Sequence, residues 1–380
     1  MSPSFSADEL LALFLRLVET PSPSGQERAV ADLILEYVRP LGFAVDEDDS
    51  APRIGAGSGN ILVTVPGRGE GAAILLGAHI DTVAVSGRVT AVVRDGVVRS
   101  DGTTVLGADD KTAVALLLAL LRDLAADAPA ARVEVLFTAS EEVGLRGAKA
   151  FDMASSSARA GFVFDGAGPL GTIVTAAPAQ KTLTATFRGV AAHAGIEPEN
   201  GHNAIAAAAA AVERMPLGRI DEMTTSNVGV IHGGVATNIV PEDCVFKGEA
   251  RSRDAGRLAA QVQAMLDAAQ SGAAEYGCDV TVDIVEEYAG FDLTPQALPA
   301  RIAAAAMKAV GLEPVLGASG GGSDVNVFNA EGLPSVNLSI GYENVHTSAE
   351  SMPLDRLWQG YELVHALVAA AGITSPGDVA

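Results

Sequence analysis

The sequence has few residues of several kinds, and each scarcity excludes a class of protein. Only two of its 380 residues are cysteine, Cys244 and Cys278, and no CxxC pair occurs. We therefore expect reduced thiols in a cytoplasmic protein. Lys and Arg number 25 against 47 Asp and Glu, a formal charge of -22, which argues against nucleic acid and anionic membranes as partners. No run of 18 apolar residues predicts a membrane span, and the first residues lack the basic stretch of a signal peptide.

The pattern along the chain predicts two domains, one inserted into the other. In residues 1–177, apolar strands alternate with helices, which predicts an α/β fold with a mixed, mostly parallel sheet covered by helices. Residues 178–288 read as β-α-β-β-α-β, the order of a ferredoxin-like α+β module. Residues 289–380 return to the first pattern and complete the first domain.

Five clusters of acidic residues and histidines follow or end predicted strands. Open α/β sheets hold their ligands at strand ends, so the clusters indicate one shared site. Taken singly, each has an ordinary explanation; Asp109 and Asp110, for example, could simply cap the helix that begins at Lys111. Together they offer two imidazoles and several carboxylates without cysteine, a set that suits two zinc, manganese or cobalt ions sharing a bridging ligand. The clusters contain His79 and Asp81, Asp109 and Asp110, Glu141 and Glu142, Asp165, and His346.

The Glu141-Glu142 pair ends an apolar strand and is hard to explain as ordinary surface. Adjacent carboxylates point in different directions, so one can bind a metal while the other takes a proton from water. This division of labour is what metal-assisted hydrolysis requires.

In this order, the clusters resemble the dizinc aminoacylase/carboxypeptidase family of metallopeptidases, and most closely its peptidase T (tripeptide aminopeptidase) branch. The resemblance implies two divalent ions, zinc foremost, bridged by Asp109, whose peptide bond to Asp110 would be cis. It also implies that Glu141 is the general base and that Asp81 orients His79. The implied ligands are His79, Asp109 and Asp165 for one ion, and Asp109, Glu142 and His346 for the other.

The resemblance also assigns roles outside the metal clusters. It makes residues 1–177 and 289–380 the catalytic domain and residues 178–288 a lid or dimerisation domain. His193 would help to bind the oxyanion, in some relatives across a dimer interface, which implies a homodimer. Glu350 is expected to anchor the turn after His346 in a helix-capping role. The implied substrate contacts are Asn238, Arg251, Gly322 and Ser323.

The predicted function is release of the N-terminal residue from short peptides, most specifically tripeptides. In the family, aspartate at the position of Asp165 is typical of aminopeptidases and dipeptidases, and glutamate of carboxypeptidases and deacylases. The alternatives are a dizinc deacylase, carboxypeptidase or dipeptidase that acts on N-acyl amino acids or dipeptides, and a non-catalytic peptide-binding homologue. The complete set of ligands and the base argue against the last.

Overall fold

The computed structural model describes residues 4–69, 71–84 and 87–374. The chain divides into two compact units. The main unit contains the chain up to Thr175, Leu293–Ser319 and the residues from Ser323 onward. The inserted unit contains Ala176–Asp292 and the three glycines 320–322.

The described residues form ten α-helices and nineteen strands. The helices are α1 (Ala7–Val18), α2 (Arg28–Val38), α3 (Ala51–Ile54), α4 (Ala108–Ala126), α5 (Arg146–Ala150), α6 (Ala204–Arg214), α7 (Ala255–Glu275), α8 (Leu298–Ala309), α9 (Asp324–Ala330) and α10 (Leu354–Ile373). The strands are β1 (Ala44–Glu47), β2 (Ile61–Val65), β3 (Ile74–His79), β4 (Ala91–Arg94), β5 (Val97–Ser100), β6 (Val133–Thr138), β7 (Ala160–Gly166), β8 (Thr172–Ala177), β9 (Ala179–Arg188), β10 (Ala192–His193), β11 (Gly218–Arg219), β12 (Thr224–Gly233), β13 (Ile239–Val240), β14 (Asp243–Ser252), β15 (Asp279–Tyr288), β16 (Phe291–Asp292), β17 (Val315–Ala318), β18 (Ser335–Ser339) and β19 (Ser351–Pro353).

The large sheet has the order β1-β2-β6-β3-β7-β18-β8-β16, with β17 beside β8. Its central strands β6, β3, β7 and β18 are parallel, and the flanking pairs are antiparallel. Every residue of β3, β6 and β18 is buried, as expected for strands covered on both faces. The predicted mixed α/β fold with a mostly parallel central sheet is confirmed.

Helix α4 is the central helix of the main unit. Its segment from Ala113 to Leu121 is wholly buried, which explains why this stretch is apolar on every side. The first turn of the helix holds Asp109 and Asp110, so the core that buries α4 also fixes the position of these two carboxylates. Among the described helices, none is both long and apolar enough to cross a membrane.

The inserted unit is a five-stranded antiparallel sheet in the order β11-β12-β14-β9-β15, with α6 and α7 packed against it. The four long strands have the arrangement of the predicted ferredoxin-like module. Along β14, Cys244, Phe246 and Ala250 are buried in the core formed with the helices. Because side chains alternate across a strand, Glu249 and Arg251 lie on the opposite face. A Cβ on Gly272 of α7 would lie 2.6 Å from the main-chain oxygen of Ala207, so glycine allows the close approach of the two helices.

Candidate functional site

Two groups of side chains in the main unit place potential metal-ligand atoms within 4.8 Å of one another. The first group is His79, Asp109 and Asp165, and the second is Asp109, Glu142 and His346. Asp109 belongs to both groups through different oxygens. Its Oδ1 lies 3.3 Å from His79 Nε2, and its Oδ2 lies 3.1 Å from His346 Nε2. The structure therefore brings together all five residues that the sequence predicted as ligands.

The parallel strands explain why residues so distant in sequence meet. His79 ends β3, Asp165 lies near the end of β7, and β6 leads to Glu142 through a short turn. These strands are adjacent and parallel, so their carboxyl ends share one edge of the sheet. Asp109 approaches the same edge from the first turn of α4, and its peptide bond to Asp110 is cis.

Glu350 positions Asp109 through the main chain. Its carboxylate accepts hydrogen bonds from the backbone N–H groups of Gly107, at 2.8 Å, and Asp109, at 3.0 Å. Glu350 is 1% exposed, so these bonds are shielded from water. It therefore caps the beginning of α4. Its own backbone N–H donates to the main-chain oxygen of Thr347 at 3.1 Å, within the turn after His346.

Asp81 contacts both His79 and the glutamate pair. His79 Nδ1 lies 3.0 Å from the main-chain oxygen of Asp81 and 3.5 Å from its Oδ1. The two carboxylate oxygens of Asp81 accept hydrogen bonds from the backbone N–H groups of Glu141, at 2.9 Å, and Glu142, at 3.2 Å. The hydroxyl of Ser24 donates a further bond at 2.7 Å. Asp81 thus links the orientation of an imidazole to the position of two carboxylates.

The acids of the two groups raise the pKa values of both histidines. Burial alone would lower the pKa of His79, but hydrogen bonds with Asp109 and Asp81 raise that pKa well above its usual value. The neighbouring carboxylates of Asp109 and Glu142 raise the pKa of His346 to about 10. Burial opposes ionisation of Asp109, yet the bonds from His346 and His79 hold its pKa below the ordinary value. A divalent cation at such a position would offset the charge of these acids and displace the protons of the histidines.

The carboxylates without such a partner behave in the opposite way. Burial raises the pKa of Glu141 well above its usual value, and the neighbouring charge of Asp165 raises it further. Burial likewise raises the pKa of Asp165, with the charge of Asp109 as the next cause. So many buried acids in one place are unfavourable unless a cation offsets them.

The donor set fits a pair of divalent cations. Glu142 Oε1 is buried and accepts no hydrogen bond, although His346 Nε2 lies 2.9 Å away. A nitrogen and an oxygen that face each other without a well-directed hydrogen bond are what two ligands of one cation look like. The ligand atoms are imidazole nitrogens and carboxylate oxygens, which suit zinc, manganese and cobalt.

The sequence did not reveal several residues around the two groups. Tyr342 is buried, and its hydroxyl lies 3.4 Å from Asp109 Oδ1. Asp324 accepts a hydrogen bond from Thr138, the last residue of β6, and burial raises the pKa of this aspartate to about 6. The only sequence signal was position, because Tyr342 lies between β18 and His346, and Asp324 follows the glycine run.

The predicted substrate contacts fall into both units. His193 and Asn238 are exposed, and their segments are joined by a small pairing of β10 with β13, where His193 is opposite Ile239. Arg251 is on β14, and Gly322 is also in the inserted unit. Ser323 is in the main unit at the beginning of α9, where its hydroxyl accepts a hydrogen bond from Asn337 at 3.1 Å.

Comparison with known proteins shows the family of the chain. The chain matches the model of peptidase family M20/M25/M40 over residues 75–370. The uncharacterized protein YqjE of Bacillus subtilis is 40% identical over 363 residues, which cover 95% of this chain and 98% of that protein. The crystal structure of aminopeptidase PepT from Bacillus cereus superimposes on this chain with a TM-score of 0.86, and the two sequences are 38% identical. The match covers 96% of this chain and 99% of that one.

A tripeptidase from Staphylococcus aureus gives a TM-score of 0.91 at 36% identity, with coverage of 97% of this chain and 99% of that one. These matches span nearly the whole chain, so they test the resemblance far beyond the site motifs. The predicted resemblance is confirmed. The chain belongs to peptidase family M20/M25/M40.

Proposed function

We propose that this protein is a metal-dependent aminopeptidase that releases the N-terminal residue from short peptides, with tripeptides as preferred substrates. The observation that carries the proposal is that two groups of potential metal ligands share Asp109. Glu141 directly precedes Glu142 of the second group. The similarity to an aminopeptidase and to a tripeptidase over nearly the full chain supports it.

Two divalent metal ions, zinc in the first place and manganese or cobalt as alternatives, fit the donor set. His79 and Asp165 would hold one ion, Glu142 and His346 the other, and Asp109 would bridge them. When bound, such ions polarise a carbonyl group and lower the pKa of water. Asp81 keeps this set in place through its contacts with His79 and with the main chain at Glu141 and Glu142.

Glu141 is proposed as the general base. Its side chain belongs to neither ligand group, it is 9% exposed, and its backbone N–H is held by Asp81. Its position beside Glu142, outside both ligand groups, leaves its carboxylate available to accept a proton. A carboxylate oxygen of Glu141 accepts the proton of the attacking water and returns it to the nitrogen of the departing peptide.

Most of the residues proposed to recognise the peptide lie in the inserted unit. His193 would donate to the oxygen of the scissile carbonyl, and Asn238 would bind polar groups of the substrate. Arg251 would bind the C-terminal carboxylate, since its guanidinium matches a carboxylate in shape and charge. Gly322 and Ser323 would line the substrate cleft.

The inserted unit is further proposed to act as a lid and to form a homodimer. Within the described residues, β11 pairs with β12 only at Thr225 and Ser226. The outer edge of β12 continues to Gly233, and Val230 and Ile231 on it are 43% and 48% exposed. An apolar strand edge of this kind is suited to pairing with a second copy.

A cytoplasmic location is also proposed. The two free, buried cysteines are consistent with such a reducing setting.

The proposed activity is tested by product analysis. Metal-reconstituted protein is incubated with Met-Gly-Gly, a dipeptide and an N-acetyl amino acid, each with and without a chelator. Release of the N-terminal residue from the tripeptide, abolished by the chelator, is the expected result. Cleavage of the N-acetyl compound alone would instead assign the protein to the deacylases, with its metal site intact.

The role of Glu141 is tested by Glu141→Gln. This change keeps the size of the side chain but removes the proton acceptor, so we expect kcat to fall by at least about 100-fold. Bound metal, measured by elemental analysis, should stay at the wild-type level, because Glu141 is in neither ligand group. Glu331→Gln, at an exposed site, is the matched control. Turnover by the Glu141 variant at the wild-type rate would rule out this mechanism.

A further inference from the structure

A row of polar side chains crosses the sheet face of the inserted unit that lies opposite its helices. Gln180 of β9 is directly opposite both Arg251 of β14 and Tyr288 of β15. Glu249 precedes Arg251 by two positions on β14, and its side chain therefore lies on the same face. We call Gln180, Glu249, Arg251 and Tyr288 the arginine row. The four residues come from three strands, so no single sequence motif contains all of them.

Glu249 holds one edge of the Arg251 guanidinium. Arg251 Nε donates to Glu249 Oε1 at 3.0 Å, and Arg251 Nη2 donates to Glu249 Oε2 at 3.0 Å. Gln180 Nε2 donates to the same Oε2 at 2.7 Å, which fixes the carboxylate in turn. The side chains of Arg251 and Glu249 are 27% and 32% exposed, so the pair is partly shielded from water. Two parallel bonds of this kind fix direction as well as distance.

The remaining donors of Arg251 point away from Glu249. A guanidinium has five N–H donors in a rigid plane. Glu249 takes those on the Nε–Nη2 edge, and the hydroxyl of Tyr288 lies 3.4 Å from Nη1. Nη1 and Nη2 each have a second N–H group, and a carboxylate that binds through both oxygens fits the outer Nη1–Nη2 edge. An amide presents one acceptor oxygen and an NH2 group that would face a donor.

Tyr288 also connects Arg251 to the glycine loop 320–322. Its hydroxyl accepts a hydrogen bond from the backbone N–H of Gly322 at 3.1 Å. A Cβ at position 322 would lie 2.3 Å from Cζ of the Tyr288 ring, so only glycine lets the loop lie against the ring. The same hydroxyl therefore contacts both the guanidinium and the loop that the sequence predicted as a substrate contact.

We propose that Glu249 is a specificity-determining positioning residue, which holds Arg251 so that its Nη1–Nη2 edge is presented to the C-terminal carboxylate of a short peptide. The inference rests on the proposed function, in which Arg251 binds that carboxylate. Because the charge of Glu249 offsets that of Arg251, recognition depends on two directed hydrogen bonds more than on net charge. The enzyme would thus distinguish a free C-terminus from an amide, which is how an aminopeptidase can favour short peptides.

The test measures binding without turnover. In the Glu141→Gln background, calorimetry gives Kd for a tripeptide and for the same tripeptide with a C-terminal amide. We expect Glu249→Ala to weaken binding of the free acid about tenfold, the effect of losing hydrogen bonds to a charged group, and to change amide binding less than about twofold. Glu249→Gln keeps one acceptor for Arg251 and should recover part of the loss. Glu286→Ala removes a carboxylate that pairs with Lys181 on the same sheet, and it should change neither Kd.

Arg251→Ala separates the two levels of the proposal. If this variant keeps the preference for the free acid, Arg251 does not read the carboxylate, and both assignments are wrong. A second outcome is that Arg251→Ala loses the preference for the free acid, but Glu249→Ala binds the free acid as tightly as wild type or more tightly. In that case Arg251 keeps its proposed role, and Glu249 does not help to position it. An equal loss for acid and amide in Glu249→Ala would indicate a merely structural role and would also overturn the inference.

Discussion

Glu27 is fully buried, although it lies far in sequence from every predicted ligand. Its carboxylate accepts hydrogen bonds from the backbone N–H groups of Gly25, at 2.8 Å, and Gly57, at 2.5 Å, and from the Ser140 hydroxyl, at 2.6 Å. Ser140 has a left-handed φ of 54° and directly precedes Glu141. A non-glycine residue in this conformation needs support from its surroundings, and Glu27 supplies it. The carboxylate thus helps to hold the turn that presents the proposed base.

We expect Glu27→Gln to lower kcat about tenfold or more with metal content unchanged. An amide NH2 in place of one oxygen would face a donor from Ser140, Gly25 or Gly57, and such a mismatch costs about 1–3 kcal/mol. Steady-state kinetics and elemental analysis provide the measurement. Glu36→Gln, where the side chain is exposed and paired with Arg16, should leave kcat unchanged. A wild-type kcat in the Glu27 variant would show that the turn keeps its geometry without this carboxylate.

Helix α7 depends at its beginning on one side chain. Asp254 is the N-cap, and its carboxylate accepts a hydrogen bond from the backbone N–H of Arg257 at 2.8 Å. The cap also places negative charge at the positive end of the helix dipole. The spacing of apolar residues predicts the body of this helix, and the cap decides where it begins.

We expect Asp254→Ala to destabilise the inserted unit by about 1 kcal/mol, the usual effect of losing an N-cap. Hydrogen exchange at the first-turn amides of α7 should accelerate, and catalytic constants should not change. Asp267→Ala, in the exposed middle of the same helix, is the control and should change exchange at the first turn little. Equal protection in wild type and the Asp254 variant would contradict the capping role.

Long elements with a clear period could be predicted, whereas the shortest strands could not. The apolar runs of β3, β6 and α4 and the alternation in β14 determine these elements locally. Strands of two or three residues, such as β10, β16 and β19, have too few residues for a period. They form because a neighbouring strand offers hydrogen-bonding groups, as β5 does for β19.

The whole molecule carries a formal charge of -22. The charges repel one another in the compact state more than in the extended chain, so unfolding relieves the repulsion. Salt screens this repulsion, because the Debye length falls from about 30 Å at 0.01 M to about 8 Å at 0.15 M ionic strength.

We therefore expect the Tm of the metal-saturated protein to rise when NaCl is increased over this range. Tetramethylammonium chloride at equal ionic strength should give the same rise, since the effect is screening and not binding of a particular cation. Differential scanning calorimetry at constant pH and constant metal concentration is the measurement. A Tm that falls or stays constant would show that local ion pairs outweigh the net charge.

The sequence by itself determined which chemical groups are available and where each lies within its own element. His79, Glu142 and Asp165 end or follow apolar runs, and these continuous runs predict buried strands that end at or shortly before them. Only the tertiary structure decided which groups meet, since this depends on strand order and register. Glu350 caps a helix 241 positions earlier, and Gln180, 69 positions before Glu249, holds the carboxylate that fixes Arg251. Local periodicity carries no information on such pairs, because their distances are set by the packing of the whole chain.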